Sequence, residues 1–224
     1  MVLESKYIRR SKLAVFDMDH TILRASFIKT AARAFHFQNE LSAIAALNEE
    51  PVARTQKIAR LLKGKKKSEL LDLTDHIPVT EGLEELLRKL KSEGYHIGII
   101  SDSYSCITNH LKNKFGFDFT VANHLEFHDQ IATGNVTIPD DFYPAKERQC
   151  RHGYCKLNAL LKACRTYNVV LKNTLVIGDG ENDLCCIQMA GTGISFCSTT
   201  DLADFQADHI IKEPDFKLVI PVLD

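Results

Sequence analysis

The stretch Leu13-Ala14-Val15-Phe16-Asp17-Met18-Asp19-His20-Thr21 decides the fold, because a short apolar run ends in two acids spaced two residues apart. A continuous apolar run of this length is typical of a strand that is buried on both faces of a sheet. Residues i and i+2 of an extended segment point the same way, so the carboxylates of Asp17 and Asp19 are expected to converge on one side.

Ligands of open α/β sheets bind at the carboxyl ends of the strands, which is where this acidic pair is predicted to lie. One carboxylate could then serve as a nucleophile and the other as a proton donor. The alternative is that Asp17 caps a following helix and Asp19 lies in a loop. The first motif alone does not decide between these interpretations.

Further apolar runs predict more buried strands, at residues 97–100, 119–121, 175–177 and 193–196. Leucines at helical spacing lie between them, in 83–90 and 157–164, and residues 123–138 alternate as in a hairpin with turns at 129–130 and 133–134. This order of elements predicts an α/β fold, with a Rossmann-like three-layer core around a central parallel sheet.

The interval after Thr21 breaks this rhythm, because it holds Ala-rich and Lys-rich helical stretches and no convincing strand. We therefore predict a small helical cap at residues 22–76, inserted into a catalytic core that comprises residues 1–21 and 77–224. At 224 residues the chain is long enough for one core of ordinary size with such an appendage.

Composition excludes several classes of partner. The net charge of -1 provides no global field to hold a nucleic acid or a membrane surface, and no apolar stretch reaches the roughly 20 residues of a membrane span. The 7 cysteines are odd in number and irregularly spaced, and the N-terminal segment has no apolar run of signal-sequence length, which predicts a cytoplasmic protein with reduced thiols. Cys150 and Cys155 flank His152, but one such pair without further ligands is weak evidence for zinc.

A second acidic motif, Gly178-Asp179-Gly180-Glu181-Asn182-Asp183, also follows an apolar strand directly. Its glycines permit tight turning and its acids are hard oxygen ligands that suit Mg²⁺. Asp17, Asp179 and Asp183 beside a phosphate would repel one another without cations, so a divalent metal and a lysine are required. Lys156 opens the predicted helix 156–164, at a suitable place before the second acidic motif, and is the candidate cation; the alternative is a surface lysine at a helix start.

Ser101 and Asp102 follow the predicted strand 96–100. The Ser101 hydroxyl and the next backbone N–H, that of Asp102, could bind phosphate oxygens. Helix capping by these residues explains their spacing equally well.

Taken in order, DMDHT, the ISDS run, a helix-opening lysine and GDGEND resemble the four motifs of the haloacid dehalogenase superfamily of phosphohydrolases. The resemblance spans nearly the whole chain. It is closest to the phosphoserine phosphatase branch, through Pro78-Val79-Thr80-Glu81-Gly82, Val121-Ala122-Asn123 and GDGENDLCCIQMAG.

The resemblance implies a Mg²⁺-dependent phosphomonoesterase that works through an aspartyl-phosphate. Asp17 would be the nucleophile, and Asp19 would protonate the leaving alcohol and later activate water. The implied phosphate-binding residues are Thr21, Ser101, Asp102, Lys156 and Asn182, and the implied metal-binding residues are Asp17, Asp19, Asp179 and Asp183. A loose phosphoryl-transfer transition state needs positioning and charge neutralisation more than a strong nucleophile, so a carboxylate suffices.

The substrate is less determined, because phosphoserine phosphatases place an acid shortly after the first motif and this chain has Ser26 there. The cap arginine of that branch has candidates in Arg54, Lys57 and Arg60, and His20 could line the pocket. The Ile100-Ser101-Asp102 run resembles phosphoethanolamine and phosphocholine phosphatases, in which Asp102 would face a cationic head group.

The expected partner is therefore a small phosphorylated metabolite, and the expected assembly is a monomer or a homodimer. Two other functions stay open: transfer of the phosphoryl group to an acceptor alcohol, and binding of a phosphometabolite without catalysis.

Overall fold

A seven-stranded sheet forms the centre of the computed structural model, which describes residues 11–143, 154–199 and 201–223. The strands lie in the order β4-β3-β2-β1-β5-β6-β7, and each neighbouring pair is parallel except the antiparallel pair of β3 and β4. Their bounds are β1 Lys12–Phe16, β2 Tyr95–Tyr104, β3 Phe119–His128, β4 Ile131–Thr137, β5 Thr174–Gly178, β6 Thr192–Phe196 and β7 His209–Ile211. The predicted α/β fold with a mostly parallel sheet is confirmed.

Nine α-helices accompany the sheet in the described part of the chain. They are α1 Phe27–Phe35, α2 Gln38–Ala45, α3 Pro51–Leu61, α4 Lys67–Asp75, α5 Leu83–Ser92, α6 Ser105–Phe115, α7 Leu157–Tyr167, α8 Leu184–Met189 and α9 Asp201–Gln206. No helix among the described residues combines the length and the apolar character needed to cross a membrane.

Two hydrophobic clusters cover the two faces of the sheet. In β1, Ala14 and Phe16 pack into the cluster that holds the buried leucines of α5, whereas Leu13 and Val15 pack into the cluster of α7 and α8. This division follows from the alternation of side chains along a strand. It explains why the apolar run of β1 is continuous, since both faces of β1 are covered by helices.

The second strand is longer than the sequence predicts. β2 continues through Ser101 and Asp102 to Tyr104, which pairs with Asn123 of β3 after a shift of register, and α6 begins only at Ser105. The alternative interpretation that Ser101 and Asp102 cap a helix is therefore wrong, because both lie within β2. Polar residues in the second half of β2 interrupt the apolar pattern that marks its first half, which is why the pattern ended the strand at residue 100.

The predicted hairpin is present as β3 and β4. Its turn lies at Asp129-Gln130, where both residues adopt positive φ angles of 49° and 65°, the backbone shape of a tight hairpin turn. The second predicted turn is wrong, because Gly134, with φ 86°, lies within β4. Residues 63–67 continue the sheet beyond β4 locally, since the Gly64 N–H donates to the oxygen of Ala132.

The interval 22–76 contains α1 to α4 and no strand, as the sequence predicts. Its division from the rest of the chain as a separate cap stays a prediction. Two elements were not predicted from the sequence: β7 and the 3-10 helix Phe216–Leu223, which packs against α5. β7 has three residues and carries no long apolar run, so no sequence pattern marked it.

Candidate active site

Neighbouring strands bring the two acidic motifs together. β1 and β5 are parallel, with Phe16 in register with Ile177, so both motifs emerge at the same edge of the sheet. Asp17 follows β1 directly and its N–H donates to the oxygen of Ile177 over 2.9 Å. The carboxylates of Asp17, Asp179 and Asp183 each offer an oxygen within 4.8 Å of the others.

Gly178 permits this close approach. A Cβ atom at this position would lie 2.5 Å from the Cγ atom of Asp183, which is shorter than any tolerable contact. The glycine is therefore required so that the Asp183 side chain can fold back over the end of β5. Asp183 is further fixed by the Gly180 N–H, which donates to its second carboxylate oxygen over 3.3 Å.

Lys156 provides the positive charge in this cluster. Its Nζ atom donates to Asp17 over 2.7 Å and to Asp183 over 2.8 Å, and the side chain is only 1% exposed. Burial opposes the charge on the amine, but the carboxylates of Asp17 and Asp183 outweigh that cost and hold its pKa well above the ordinary value. Lys156 is the N-cap residue of α7, close to the helix start that the sequence predicts for it.

The single positive charge of Lys156 does not balance the negative charges of the three carboxylates. Burial, followed by the charge of Asp183, raises the pKa of Asp17 well above its ordinary value and raises that of Asp179 to about 6. Three converging carboxylates of this kind suit a hard divalent cation, which prefers oxygen ligands and would relieve their mutual repulsion. The donor set therefore fits the metal that the sequence predicts.

Asp19 stands apart from this group, although it was predicted to be among the metal-binding residues. Its carboxylate accepts a hydrogen bond of 2.9 Å from the N–H of Phe27, at the start of α1, and does not belong to the three-carboxylate cluster. Burial raises the pKa of Asp19 to about 7. The residue lines the neighbouring cavity, where a proton donor or acceptor could meet a ligand.

The predicted phosphate-binding residues differ in burial and in their contacts. Thr21 is buried and its hydroxyl donates to Asp179 over 3.5 Å. Ser101 is fully buried in β2, and its hydroxyl accepts the N–H of Ser103 over 3.2 Å. Asn182 is exposed and donates to the carboxylate of Asp102 over 3.2 Å.

A cavity of about 590 Å³ is lined by Asp19 and Asn182, the chain neighbours of the cluster, and not by its three carboxylates themselves. The core side of its wall carries the acids Asp19, Asp102 and Glu181 together with Tyr104 and Tyr154. The opposite side comes from α1 and α3, and its members are Ile28, Pro51, Arg54, Thr55 and Ile58. The segment predicted to be a cap thus contributes about a third of the lining.

Of the four residues predicted for the substrate pocket and the further cap candidate Arg60, one lines this cavity. Arg54 does so, and its Nε atom is buried without a hydrogen-bond partner among the described residues. Lys57 instead pairs with the carboxylate of Glu49, and Ser26 caps α1 by accepting the N–H of Lys29. His20 is exposed, with a positive φ of 57°. The structure does not place the last three in the cavity wall.

Three cavity features were missed by the sequence analysis. Glu181 was recognised only as part of the acidic motif, and Tyr104 and Tyr154 not at all. Asn123, fully buried in β3, donates to the backbone oxygen of Asp102 over 2.6 Å and to the hydroxyl of Tyr154 over 3.3 Å. An asparagine inside an apolar strand pattern was the one available signal, since a buried amide needs partners.

The weak zinc hypothesis gains no support from the described residues. Cys150 and His152 lie outside them, Cys155 lines the cavity, and the group of metal-ligating side chains found in the described part of the chain contains no cysteine.

Comparison with known proteins identifies the family. The haloacid dehalogenase-like hydrolase family matches residues 14–188. The phosphoserine phosphatase of Streptococcus thermophilus is 30% identical over 220 residues, which cover 95% of each chain. That of Methanocaldococcus jannaschii is 29% identical and covers 95% of this chain and 97% of its own. That of Archaeoglobus fulgidus is 32% identical over 93% of this chain, which spans only 59% of that longer protein.

Solved structures give the same result. A phospho-aspartyl intermediate analogue of phosphoserine phosphatase superposes with a TM-score of 0.78 at 27% identity, covering 96% of this chain and 99% of the other. A haloacid dehalogenase family hydrolase from Salmonella enterica serovar Typhi reaches a TM-score of 0.83 at 25% identity, covering 96% and 72%. The chain therefore belongs to the haloacid dehalogenase-like hydrolases, in the branch of phosphoric monoester hydrolases that is similar to phosphoserine phosphatase.

Proposed function

We propose that the chain is a magnesium-dependent phosphomonoesterase that hydrolyses a small phosphorylated metabolite through an aspartyl-phosphate on Asp17. The observation that carries the proposal is the buried cluster in which Lys156 bonds both Asp17 and Asp183, with Asp179 beside them. Such a cluster supplies a nucleophile and fixed positive charge at one place.

Asp17 and Asp19 have separate roles in this reaction. A carboxylate oxygen of Asp17 bonds to phosphorus as the ester oxygen leaves, and Asp19 gives its proton to the departing alcohol. Asp19 then takes a proton from the water that attacks phosphorus, which releases phosphate and restores Asp17. The N–H of Phe27 holds Asp19 in the cavity wall, in position for both transfers.

The phosphate is held from several sides. Lys156 neutralises its charge, and the hydroxyls of Thr21 and Ser101 together with the backbone N–H of Asp102 donate to its oxygens, while Asn182 orders the loop at the mouth. Asp17, Asp179 and Asp183 would hold Mg²⁺. When bound, the ion neutralises charge on the carboxylates and the phosphate and helps to align them.

Residues 22–76 act as a cap in this proposal. Ile28 and Ile58 place apolar surface across the cavity from the catalytic acids, which excludes bulk water from the reacting phosphate. The cap also meets the part of the substrate beyond the phosphate, so it contributes to the choice of leaving group.

Phosphoserine is the first candidate substrate, since the curated relatives named above are phosphoserine phosphatases. Arg54 supports this choice, because its buried Nε atom has no acceptor among the described residues and would gain one from a substrate carboxylate. We further propose a cytoplasmic enzyme that acts on small molecules and not on nucleic acids or membranes, in line with its nearly balanced charge.

Phosphoethanolamine or phosphocholine is the second candidate, and Asp102 favours it. The Asp102 carboxylate faces the same cavity, whereas Ser26 neither carries a charge nor lines it. A substrate with an ammonium group and no carboxylate would satisfy Asp102 without requiring Arg54.

The decisive experiment compares phosphate release by the wild type, Asp17→Asn and the control Asp141→Asn, with p-nitrophenyl phosphate and Mg²⁺. Asp141 is a partly buried acid that pairs with Lys162 on α7 and belongs neither to the carboxylate cluster nor to the cavity lining. We expect Asp17→Asn to lose at least about a thousand-fold in turnover and Asp141→Asn to keep its activity. Undiminished turnover by a correctly folded Asp17→Asn variant would refute the nucleophile.

A substrate panel then separates the two candidates. The panel comprises phosphoserine, phosphoethanolamine, phosphocholine and glycerol phosphate, compared by kcat/KM. Preference for phosphoserine supports the first candidate, and preference for the two head groups without a carboxylate supports the second. Equal rates for glycerol phosphate would argue against both, and accumulation of a phosphorylated acceptor alcohol would indicate phosphotransfer.

A further inference from the structure

The strand β2 is bulged beside the cavity. Its ladder with β3 is regular as far as Ile100 and resumes only at Tyr104, which pairs with Asn123. Residues 101–103 of β2 therefore lie opposite the single residue Ala122 of β3. A bulge leaves peptide groups without their ladder partners and re-aims side chains, and such bulges are common next to active sites.

The side chain of Asn123 fills this gap in the ladder. It is fully buried, and its Nδ2 atom donates to the backbone oxygen of Asp102 over 2.6 Å. Only a donor can face a carbonyl oxygen at this distance, so the orientation of the amide is fixed. The same nitrogen donates to the hydroxyl of Tyr154 over 3.3 Å. One amide group thus joins the bulge to a tyrosine of the cavity wall.

Stability alone does not account for an asparagine at this position. The Oδ1 atom of Asn123 is buried and has no hydrogen-bond partner among the described residues. A buried acceptor without a hydrogen bond lowers stability, and an apolar β-branched residue would suit the interior of a strand better. The two bonds that Nδ2 makes therefore point to a functional role of Asn123.

Tyr154 is held at both ends of its side chain. Its ring packs against that of the buried Phe142, with 5.2 Å between the ring centroids, and its hydroxyl accepts from Asn123. Burial, followed by the charge of Asp102, raises the pKa of Tyr154 above its ordinary value, so the hydroxyl keeps its proton. This proton has no acceptor among the described residues. Because the side facing Asn123 is occupied by a donor, the proton turns away from it and is available to a ligand in the cavity.

We propose that Tyr154 binds the substrate, with its hydroxyl donating to an oxygen of the phosphate ester, and that Asn123 is the positioning residue that aims this hydroxyl. This role rests on the proposed phosphatase function and adds a donor to it. Tyr154 lies two residues before Lys156, whose amine bonds Asp17. Asn123 also holds Asp102, whose backbone N–H donates to the phosphate in the proposed function. A phosphate ester offers strong acceptor oxygens, which a neutral hydroxyl can bind.

A double-mutant cycle separates aiming from a purely structural role of Asn123. The variants are Tyr154→Phe, Asn123→Ala and the two combined, compared by kcat/KM with p-nitrophenyl phosphate and Mg²⁺. We expect Tyr154→Phe to lower kcat/KM about ten-fold in the wild-type background, as for a lost bond to a charged group. In the Asn123→Ala background it should lower kcat/KM by less than about two-fold, because the hydroxyl is no longer aimed. A purely structural Asn123 would leave the effect of Tyr154→Phe unchanged.

Two matched controls accompany the cycle. Tyr95→Phe removes the hydroxyl of a buried tyrosine at the other end of β2 and should leave kcat/KM unchanged. Thr120→Val removes a different side-chain bond of β3, to Asn109 on α6, and Tyr154→Phe should keep its full effect in that background. Asn123→Val, which suits a strand and has no donor, replaces Asn123→Ala if circular dichroism shows that the alanine variant is unfolded.

Binding of inorganic phosphate separates this role from the reaction itself. It is measured by isothermal titration calorimetry with Mg²⁺ on the same variants, and the same coupling should appear in Kd. Coupled phosphate affinities without ester hydrolysis would support the aiming and refute the phosphatase. Hydrolysis with independent effects of the two substitutions, or with unchanged kcat/KM and Kd in Tyr154→Phe, overturns the aiming and leaves the phosphatase intact. A wild type that neither hydrolyses the ester nor binds phosphate overturns both.

Discussion

Lys156 donates to Asp17 over 2.7 Å, although the two residues are 139 positions apart in the chain, and both are buried. The contact joins the start of α7 to the end of β1. The same amine also donates to Asp183, which follows β5. An ammonium that is removed from water and held by two carboxylates is costly to lose, since the carboxylates would stay buried without it. Lys156 is therefore expected to matter for both charge balance and catalysis.

Lys156→Met should lower phosphate release by about 10²–10³-fold, the usual effect of removing one preorganised charge at a phosphoryl group. The loss should appear mainly in kcat, because the charge is aimed at the reacting phosphate. Lys162→Met, on the same helix but 58% exposed and paired with Asp141, is the matched control. Equal kinetics of the two variants with p-nitrophenyl phosphate would exclude the assigned role.

Magnesium should stabilise the fold measurably. A ligand that binds only the folded state at about a hundred times its Kd adds about 2.7 kcal/mol to the free energy of unfolding. We expect Mg²⁺ to raise the Tm of the wild type, EDTA to reverse the shift, and Asp179→Asn to lose most of it because one of three clustered carboxylates is neutral. If Mg²⁺ does not change the Tm of the wild type, that result would contradict a metal site at these residues.

Asp102→Asn should change the choice of substrate more than the chemistry. Its carboxylate faces the cavity and is held by Asn182, so removing the charge should reduce kcat/KM for phosphoethanolamine relative to glycerol phosphate by about ten-fold, equivalent to about 1.4 kcal/mol. Asp140→Asn, outside the cavity, should leave the ratio unchanged. An unaltered ratio in Asp102→Asn would remove Asp102 from substrate recognition.

The sequence was sufficient to predict that the three carboxylates cluster, because each of them lies at or just after a strand end. Asp17, Asp179 and Asp183 follow apolar runs directly, and parallel pairing of β1 with β5 converts that local feature into proximity. Lys156 lies beside Asp17 and Asp183, in line with the inference that three carboxylates and a phosphate demand a cation, and its role in the reaction stays a prediction.

The cavity wall was less accessible to sequence reasoning because it depends on tertiary packing. Ser26 occupies the sequence position expected for the substrate-binding acid, but its side chain caps α1. Asp19 accepts a hydrogen bond from the N–H of Phe27 and is not part of the three-carboxylate cluster. Tyr154 lies before α7 and lines the cavity, and its hydroxyl accepts a hydrogen bond from the buried Asn123 of β3. No local pattern in the chain encodes these contacts.

Gly98→Ala should destabilise the fold. A Cβ atom at this position in β2 would lie 2.1 Å from the ring of Phe119 on β3, so the ring must move within a tightly packed sheet. We expect a loss of about 1–3 kcal/mol in the free energy of unfolding, measured by urea denaturation. The double variant Gly98→Ala with Phe119→Leu should recover part of that loss, and no recovery would mean that the ring is not the cause.

Asp75 should stabilise the protein modestly and only above acidic pH. Its carboxylate on α4 accepts from Lys114 and lies 3.0 Å from the His110 ring, both on α6, and the bond from Lys114 followed by that from His110 lowers its pKa. A lowered pKa means that the stabilisation is present above the unfolded value of about 3.8 and is lost as the pH falls below it.

Asp75→Asn should therefore cost about 0.5 kcal/mol at neutral pH and low salt, because the carboxylate is partly exposed and solvent screens the pairs. The difference from the wild type should shrink in high salt and vanish as the pH falls through the lowered pKa, measured by urea unfolding. Asp72→Asn is the control, since that exposed acid lies on the same helix and makes no ion pair among the described residues. A difference that persists at low pH would assign the effect to the side-chain packing of α4 instead of its charge.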